Sequence, residues 1–235
     1  MPKIDLYRNV HMGQRARLFT LATELGAADI SSSGCAADQA DRCLAMTREL
    51  REHADHEDTF IHQLLRERAP QAADALEAEH VRLDAAFVAL DERARELPSA
   101  PAEDLPEAQH ALYLALNDLI SAYLAHLHAE ETVAMPALWS HAGAEELEAV
   151  MSAFRASRTP EEALTDLRRM LPALPPAPRA AIVRDVVENA VPGRADDTLA
   201  AVSSTLGPDQ RHRLYEDLAP VRDVVPTEPL PQSAG

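Results

Sequence analysis

The sequence predicts an all-α protein, an antiparallel up-down-up-down four-helix bundle with an additional C-terminal helical segment. Apolar residues recur at the i, i+3, i+4 spacing of amphipathic helices over four long stretches. Aromatic residues make up only 4% of the 235 residues and there are 7 glycines, which is few for the tight turns of an all-β fold. The links between the stretches are short, and short links favour antiparallel neighbours in a bundle.

Polar and proline-bearing segments separate the four long helices. The run Ser31–Gly34 follows the first helix, Pro70 separates the second from the third, and the run Pro98–Pro101 follows the third. The segment Asp104–Glu107 carries Pro just inside the start of the fourth helix, which is typical of a helix N-terminus. The predicted long helices span residues 6–27, 36–68, 71–96 and 105–140.

Beyond Gly143 the predicted helices become shorter, and we place a domain boundary near residue 142. Thr159 and Glu162 have the spacing of a capping box, with Pro160 at the first helical position. The domains predicted are therefore a bundle over residues 1–142, a C-terminal helical extension over 143–219 and a disordered, proline-rich tail over 220–235. The shorter helices are predicted over residues 144–157, 160–171, 178–190, 194–206 and 208–218.

Charge and composition exclude several classes of function. With 39 acidic and 22 basic residues the formal net charge is -17, which argues against a nucleic-acid-binding surface or a basic membrane patch. Cys35 and Cys43 are too few for a disulfide framework or a cysteine zinc site. The N-terminal run Met1–Asp5 has no apolar stretch after its positive charge, and nothing approaches the length of a membrane span. We expect a cytoplasmic monomer or homodimer.

Ten histidines are the unusual feature of this acidic, aromatic-poor chain. Two segments, His53–Thr59 and His126–Thr132, share the form His-x-x-x-Glu-acid-Thr. Each lies late in the second helix of a predicted helical pair, and each pair carries an earlier histidine on its first helix, His11 or His80. The chain therefore contains two copies of an arrangement in which a lone His precedes a His-x-x-x-Glu motif.

The spacing within each motif suits metal binding. Residues i and i+4 lie on one helix face, so His53 with Glu57, and His126 with Glu130, can direct an imidazole and a carboxylate to one point. All the candidates fall on apolar stripes, which predicts that they point inward, and a buried Glu is costly unless it is paired or bound to metal. Four histidines and two carboxylates suit a pair of metal ions bridged by the carboxylates. The alternative is that each His–Glu pair merely supports an exposed helix.

The inward stripes extend on both sides of the two motifs. On the second helix the stripe includes Leu50 and Phe60, and on the fourth it includes Tyr123 and Val133.

At these residues the sequence resembles the hemerythrin-like (HHE cation-binding) family. That family has an early His, a His-x-x-x-Glu, a third His often preceded by Glu, and a second His-x-x-x-Glu-Glu followed by Pro. The resemblance covers about residues 1–141 and implies a non-haem di-iron centre with oxo or hydroxo and carboxylate bridges, which reacts with peroxide, dioxygen or nitric oxide. The matching residues are His11, His53 and Glu57, Glu79 and His80, His126 with Glu130 and Glu131, and Pro136. In this interpretation the terminal ligands are His11, His53, His80 and His126, and Glu57 and Glu130 are bridges.

The third helix departs from the oxygen-carrying members of that family, which have a second His one turn after the first where this chain has Asp84. Fewer imidazoles and more oxygen ligands favour ferric iron, which disfavours reversible oxygen carriage. The first hypothesis is therefore a di-iron protein that reacts with hydrogen peroxide in a catalase-like manner, or with dioxygen. The alternative is an oxygen or nitric oxide sensor or carrier, or an iron-storage protein, without turnover. Enzyme activity and any catalytic residue stay open.

Other residues near the motifs have weaker claims. Asp84 and Glu131 are candidates for additional ligands. Tyr7 and Tyr123 are interpreted as packing residues, and the alternatives are that they donate hydrogen bonds next to the metal or bind it as ligands. Manganese or zinc would accept the same ligands as iron. The other histidines are predicted to lie at a helix margin or on the surface: His56, His62, His110, His128, His141 and His212.

Overall fold

The computed structural model describes residues 3–29 and 33–219, and within these ranges the chain forms helices and no strand, which confirms the all-α class. Two stretches of π-helix interrupt the second and fourth long helices, the first π turn at Glu57–Ile61 and the second π turn at Glu130–Ala134. The predicted tail lies outside the described residues. The α-helices are α1 (Arg8–Ala27), α2 (Ser33–His56), α3 (His62–Arg68), α4 (Pro70–Glu96), α5 (Leu105–Ala129), α6 (Met135–His141), α7 (Ala144–Ser157), α8 (Pro160–Met170), α9 (Pro176–Glu188), α10 (Ala195–Ser203) and α11 (Pro208–Leu218).

Local sequence signals account for several of these boundaries. The hydroxyl of Thr159 accepts a hydrogen bond from the backbone N–H of Glu162, and the Glu162 carboxylate accepts one from the N–H of Thr159 at 2.9 Å. This is the capping box that the sequence predicts, and it begins α8 at Pro160. Pro also occupies the first or second position of α4 and α5, where its missing N–H costs no helical hydrogen bond.

The long helices pack as neighbours in antiparallel pairs. Ion pairs join Arg17 to Glu49 and Arg42 to Glu24, so α1 and α2 run in opposite directions. The α1–α5, α2–α4 and α4–α5 pairs also pack against each other. Contacts that fix these directions are Gln109 with Leu25, and His11 with Glu131, for α1 and α5; Arg51 with Asp91, and Arg66 with Glu77, for the second long helix and α4; and Phe87 with Tyr123, and Glu79 with His126, for α4 and α5.

Two apolar clusters lie along these helices, one on each side of the His-x-x-x-Glu motifs. The larger cluster contains Leu18, Leu50, Phe87 and Leu116, and the smaller one contains Tyr7, together with residues that follow each π turn. Because Leu50 precedes the first motif and Ile61 follows it, the motif lies where one cluster gives way to the other. The fold therefore surrounds the predicted site with apolar side chains on both sides.

The compact unit that contains the site continues past residue 142, where the sequence analysis placed a boundary, to Leu174. Helix α8 packs against α1, and α7 packs against the first π turn. At Gly13 of α1 an added Cβ would lie 3.0 Å from the Cα of Met170, so this position needs glycine for the close approach of α8. The first two helices after Gly143 thus belong to the same unit as the site.

The second compact unit begins at Pro175, and within it α9 packs against α10 and α11. The Arg184 guanidinium donates a hydrogen bond to the backbone carbonyl of Asp217 at 2.7 Å, which joins α9 to α11. Over the described part of the chain, no helix combines the length and the apolar character that crossing a membrane requires.

Candidate metal centre

The structure brings together all six residues that the sequence predicts as metal ligands. α1 contributes His11, α2 contributes His53, α4 contributes His80, and α5 contributes His126, while Glu57 and Glu130 are the first residues of the two π turns. His11, His126 and both carboxylates are buried, and the side chains of His53 and His80 are 13% and 11% exposed. The group therefore lies inside the helical unit, with two histidines reaching towards its surface.

The two oxygens of Glu57 are directed at different histidines. Oε1 lies 2.9 Å from Nε2 of His53 and 3.5 Å from Nε2 of His11, and Oε2 lies 3.9 Å from Nε2 of His80. One carboxylate thus faces two groups of imidazole nitrogens, which is the arrangement that a bridging ligand needs.

Glu130 has a similar arrangement from the opposite motif. Its Oε2 lies 3.4 Å from Nε2 of His11, and its Oε1 lies 3.3 Å from Nε2 of His126. Nε2 of His126 is in turn 3.0 Å from Nε2 of His80. Two potential cation positions result, one among His11, His53 and Glu57, and one among Glu57, His80, His126 and Glu130.

The unpaired polar atoms at this centre test whether metal ions fit it. Nε2 of His11, Nε2 of His53 and all four carboxylate oxygens of Glu57 and Glu130 are buried, and none makes a hydrogen bond of acceptable geometry within the described chain, although nitrogens and oxygens of this group lie 2.9–3.5 Å apart. Buried polar atoms are nearly always hydrogen-bonded, because an unsatisfied one costs about 1–3 kcal/mol. Imidazole nitrogens and carboxylate oxygens that converge at these distances are the donors that iron, manganese and zinc accept. The residues therefore fit a pair of metal ions.

The carboxylates of the centre raise the pKa of two of its histidines. Burial lowers the pKa of His11, but its hydrogen bond to Glu131 and the charges of Glu57 and Glu130 outweigh burial and raise the pKa to about 9. The pKa of His126 rises to about 9 in the same way, since Glu130 outweighs the effect of burial. Metal ions bind deprotonated imidazole, so binding must displace these protons.

The pKa values of the two carboxylates shift in opposite directions. Burial raises the pKa of Glu57, but the neighbouring His53 and His11 outweigh it and hold the pKa well below the ordinary value. Burial and the negative charge of Glu57 raise the pKa of Glu130. Two carboxylates in one cavity are unfavourable unless cations lie between them, which again favours bound metal.

Further acidic residues orient two of the histidines. Nδ1 of His11 donates a hydrogen bond to Glu131 at 2.9 Å, and Glu131 also accepts one from Arg15 at 2.6 Å. Nδ1 of His126 donates to Glu79 at 3.0 Å. A carboxylate on one ring nitrogen fixes the tautomer and directs the other nitrogen to the metal. Glu131, a candidate for an additional ligand, therefore contacts the outer nitrogen of His11.

The π turns change which residues of each motif lie inside. In a π-helix the hydrogen bonds run from residue i to residue i+5, so each turn holds one residue more than a turn of α-helix. The residues four and five positions after the inward glutamate then lie inside with it, and the residue three positions after it turns outward. Val133, which the α-helical spacing placed on the inward stripe, is 54% exposed, while Ala134 and Met135 are buried. In the first motif Phe60 is only partly buried, and Ile61 is buried instead. The predicted inward position of Val133 is therefore wrong, because an α-helical register was assumed.

The same register change affects His62, which the sequence analysis placed on the surface and which is fully buried. Nδ1 of His62 lies 2.8 Å from Asp58, and its ring stacks on that of His80 at a centroid distance of 5.2 Å. The spacing Asp58-x-x-x-His62 is itself an acid–His pair at i and i+4, and it was the signal that could have identified this residue.

The remaining candidates lie in different surroundings. Tyr7 and Tyr123 are buried beside the centre, and burial together with the charges of Glu57 and Glu130 raises the pKa of both phenols well above the ordinary value. Asp84 is exposed on α4 and belongs to none of the His and carboxylate clusters found among the described residues.

The histidines predicted outside the site separate into two groups. His56 is partly buried, packs edge-on against Phe154 and lies 3.2 Å from Arg158. The other four are exposed: His110, His128, His141 and His212.

The fold and the site define an all-α protein with a buried cluster of histidines and carboxylates suited to cations. The chain belongs to the hemerythrin HHE cation-binding domain family, whose family model matches residues 3–138. This match confirms the resemblance found in the sequence, and it includes all six candidate ligands. Searches of curated proteins and of solved structures gave no significant match.

Proposed function

We propose that this protein holds two iron ions and decomposes hydrogen peroxide, or reacts with dioxygen, at the buried centre. The ligands proposed are His11, His53, His80 and His126, with Glu57 and Glu130 shared between the two ions. The observation that carries the proposal is the arrangement of the two buried carboxylates, each of which directs its oxygens at histidines on different helices.

Iron bound at this centre would supply the electron transfers by which two peroxide molecules yield one dioxygen and two waters. The protein supplies the surroundings of that reaction. Glu131 and Glu79 hold His11 and His126 by their outer nitrogens, so their Nε2 atoms stay directed at the centre. The apolar clusters on both sides keep bulk water away, which strengthens the electrostatic interactions of the site.

The burial of the site determines the size of its substrate. His11, Glu57, His126 and Glu130 are almost completely inaccessible, and only His53 and His80 have partial exposure. A ligand of two heavy atoms, such as peroxide or dioxygen, matches this confined space better than an organic substrate. We therefore assign the reaction to small oxygen species.

Oxygen evolution by the iron-loaded protein tests the proposal. We expect the wild type to release dioxygen from added peroxide at a rate above that of an equal concentration of free iron. Glu57→Gln removes a shared ligand and should abolish this excess, together with much of the bound iron. Glu52→Gln neutralises an exposed carboxylate on the same long helix and should leave both unchanged. Oxygen evolution no faster than free iron by a protein that has retained two irons would contradict turnover.

A further inference from the structure

A second group of possible ligands lies beside the proposed dinuclear centre. Oδ1 of Asp58 is 2.8 Å from Nδ1 of His62 and 3.3 Å from Nδ1 of His80. These three side chains satisfy the distances expected for a cation site, and two of them, Asp58 and His62, have no part in the dinuclear centre. His80 takes part in both groups, with Nε2 facing the centre and Nδ1 facing Asp58.

Hydrogen bonds alone do not explain why these three side chains lie together. His11 and His126 each donate Nδ1–H to a carboxylate, but the buried Nδ1 of His80 makes no hydrogen bond, although Asp58 is within 3.3 Å. His62 is fully buried, and its Nε2 also lacks a hydrogen-bond partner in the described chain. Without a metal, the Nδ1 of His80 thus lacks the carboxylate hydrogen bond that His11 and His126 both make.

The first π turn creates the arrangement. Asp58 and His62 are four residues apart and face each other across this turn, while His62 stacks on the His80 ring with an angle of 22° between the ring planes. The Asp58 side chain is 49% exposed, so the group opens to solvent, whereas Glu57 immediately before it is only 2% exposed. Two adjacent acids thus face different environments, one inside the centre and one at its edge.

We propose that Asp58, His62 and His80 bind a third metal ion, a divalent transition metal such as Fe²⁺, Co²⁺ or Zn²⁺, outside the dinuclear centre. Two imidazoles and one carboxylate are a sufficient protein ligand set for such ions, with solvent at the open positions next to Asp58. At His62 the ring proton would move from Nδ1 to Nε2 through solvent, and at His80, whose Nε2 faces the inner pair, the Nδ1 proton would be lost to solvent, so that His80 would serve both sites as an imidazolate. It binds more weakly than the inner pair, because it shares His80 with that pair and is repelled by its charge.

Cobalt stoichiometry separates this outer site from the inner pair. Equilibrium dialysis of the full chain against excess Co²⁺ should give three ions per chain, and gel filtration without cobalt should leave two. Asp58→Asn should raise the dissociation constant of the third ion by at least about tenfold and leave the inner two in place. His62→Gln should have the same effect. If this substitution of a buried residue impairs folding, Asp58→Asn still tests the site, because Asp58 is half exposed.

Asp55→Asn is the matched control, because it removes an exposed carboxylate three residues earlier on the same helix. The control should still bind three ions. Saturation of the wild type at two, or an unchanged third ion in Asp58→Asn, would overturn the outer site. A wild type that retains no ion after gel filtration, yet binds one that Asp58→Asn abolishes, would instead overturn the dinuclear centre and leave the outer site standing.

Discussion

Removal of metal should lower the stability of the protein, because the centre is costly to fold without cations. Six buried nitrogen and oxygen atoms of His11, His53, Glu57 and Glu130 lack hydrogen bonds. An unsatisfied buried polar atom costs about 1–3 kcal/mol in a folded protein, the attraction between the histidines and the carboxylates offsets part of that cost, and metal bonds would relieve the rest. Metal ions bind these groups only where the fold brings them together, so binding stabilises the folded state.

The size of the effect follows from linkage. A metal present at 100 times its dissociation constant contributes about 2.7 kcal/mol per ion to the folded state. For a domain of 150–250 residues each kcal/mol shifts Tm by about 2–4 °C, so one ion should raise Tm by about 5–11 °C. The second ion should add a further increase of similar size.

Circular dichroism melting of the same preparation, with a chelator and then with restored iron, measures this shift. Glu130→Gln should reduce the shift greatly, since it removes a ligand from the centre. Equal melting temperatures with and without iron, in protein shown to contain two irons, would refute the reasoning that the centre is stabilised by metal.

Three further predictions concern single residues. Glu131→Ala should weaken iron binding about 10–100-fold by releasing His11, which competition with a chelator measures, and an unchanged affinity would contradict its orienting role. Leu116→Ala should lower the free energy of unfolding by about 2–5 kcal/mol in urea titration, because Leu116 is fully buried in the larger apolar cluster, and a loss below 1 kcal/mol would contradict this packing. A thiol reagent should label the exposed Cys35 in the native protein and should label Cys43 only after unfolding, because burial raises the pKa of Cys43 to about 12. Labelling of both cysteines in the native state would show that Cys43 is accessible.

The helices could be predicted closely from the sequence because their apolar spacing and their terminal signals agree. The fourth long helix was predicted over 105–140, and the structure has continuous helix from Leu105 to His141. The start of α8 also agrees with its prediction, since Thr159 and Glu162 form the predicted capping box. Where spacing, caps and prolines all indicate the same boundary, local sequence determines it.

The internal register of those helices could not be predicted in the same way. Neither motif has a Pro or a Gly within its π turn, and although Pro136 follows the second π turn, no such residue follows the first so closely, so no common signal marks the shift of register. An α-helical register therefore predicts Val133 inside and His62 outside, and both predictions are wrong. Such π turns occur often at functional sites, where they redirect side chains.

The candidate site was predictable to the extent that it depends on single helices. The His-x-x-x-Glu spacing alone places His53 with Glu57, and His126 with Glu130. The pairing of Glu79 with His126, by contrast, joins α4 to α5. Contacts of this kind depend on how two helices are aligned, which no local pattern in one sequence specifies.

The number of metal ions held per chain tests the central claim most directly. Protein loaded with iron and freed of loosely bound metal by gel filtration should contain two irons per chain, and Glu57→Gln, which removes the carboxylate shared between the two positions, should contain fewer than one. Retention of less than one iron by the wild type, or of two by Glu57→Gln, would contradict a dinuclear centre bridged by this residue.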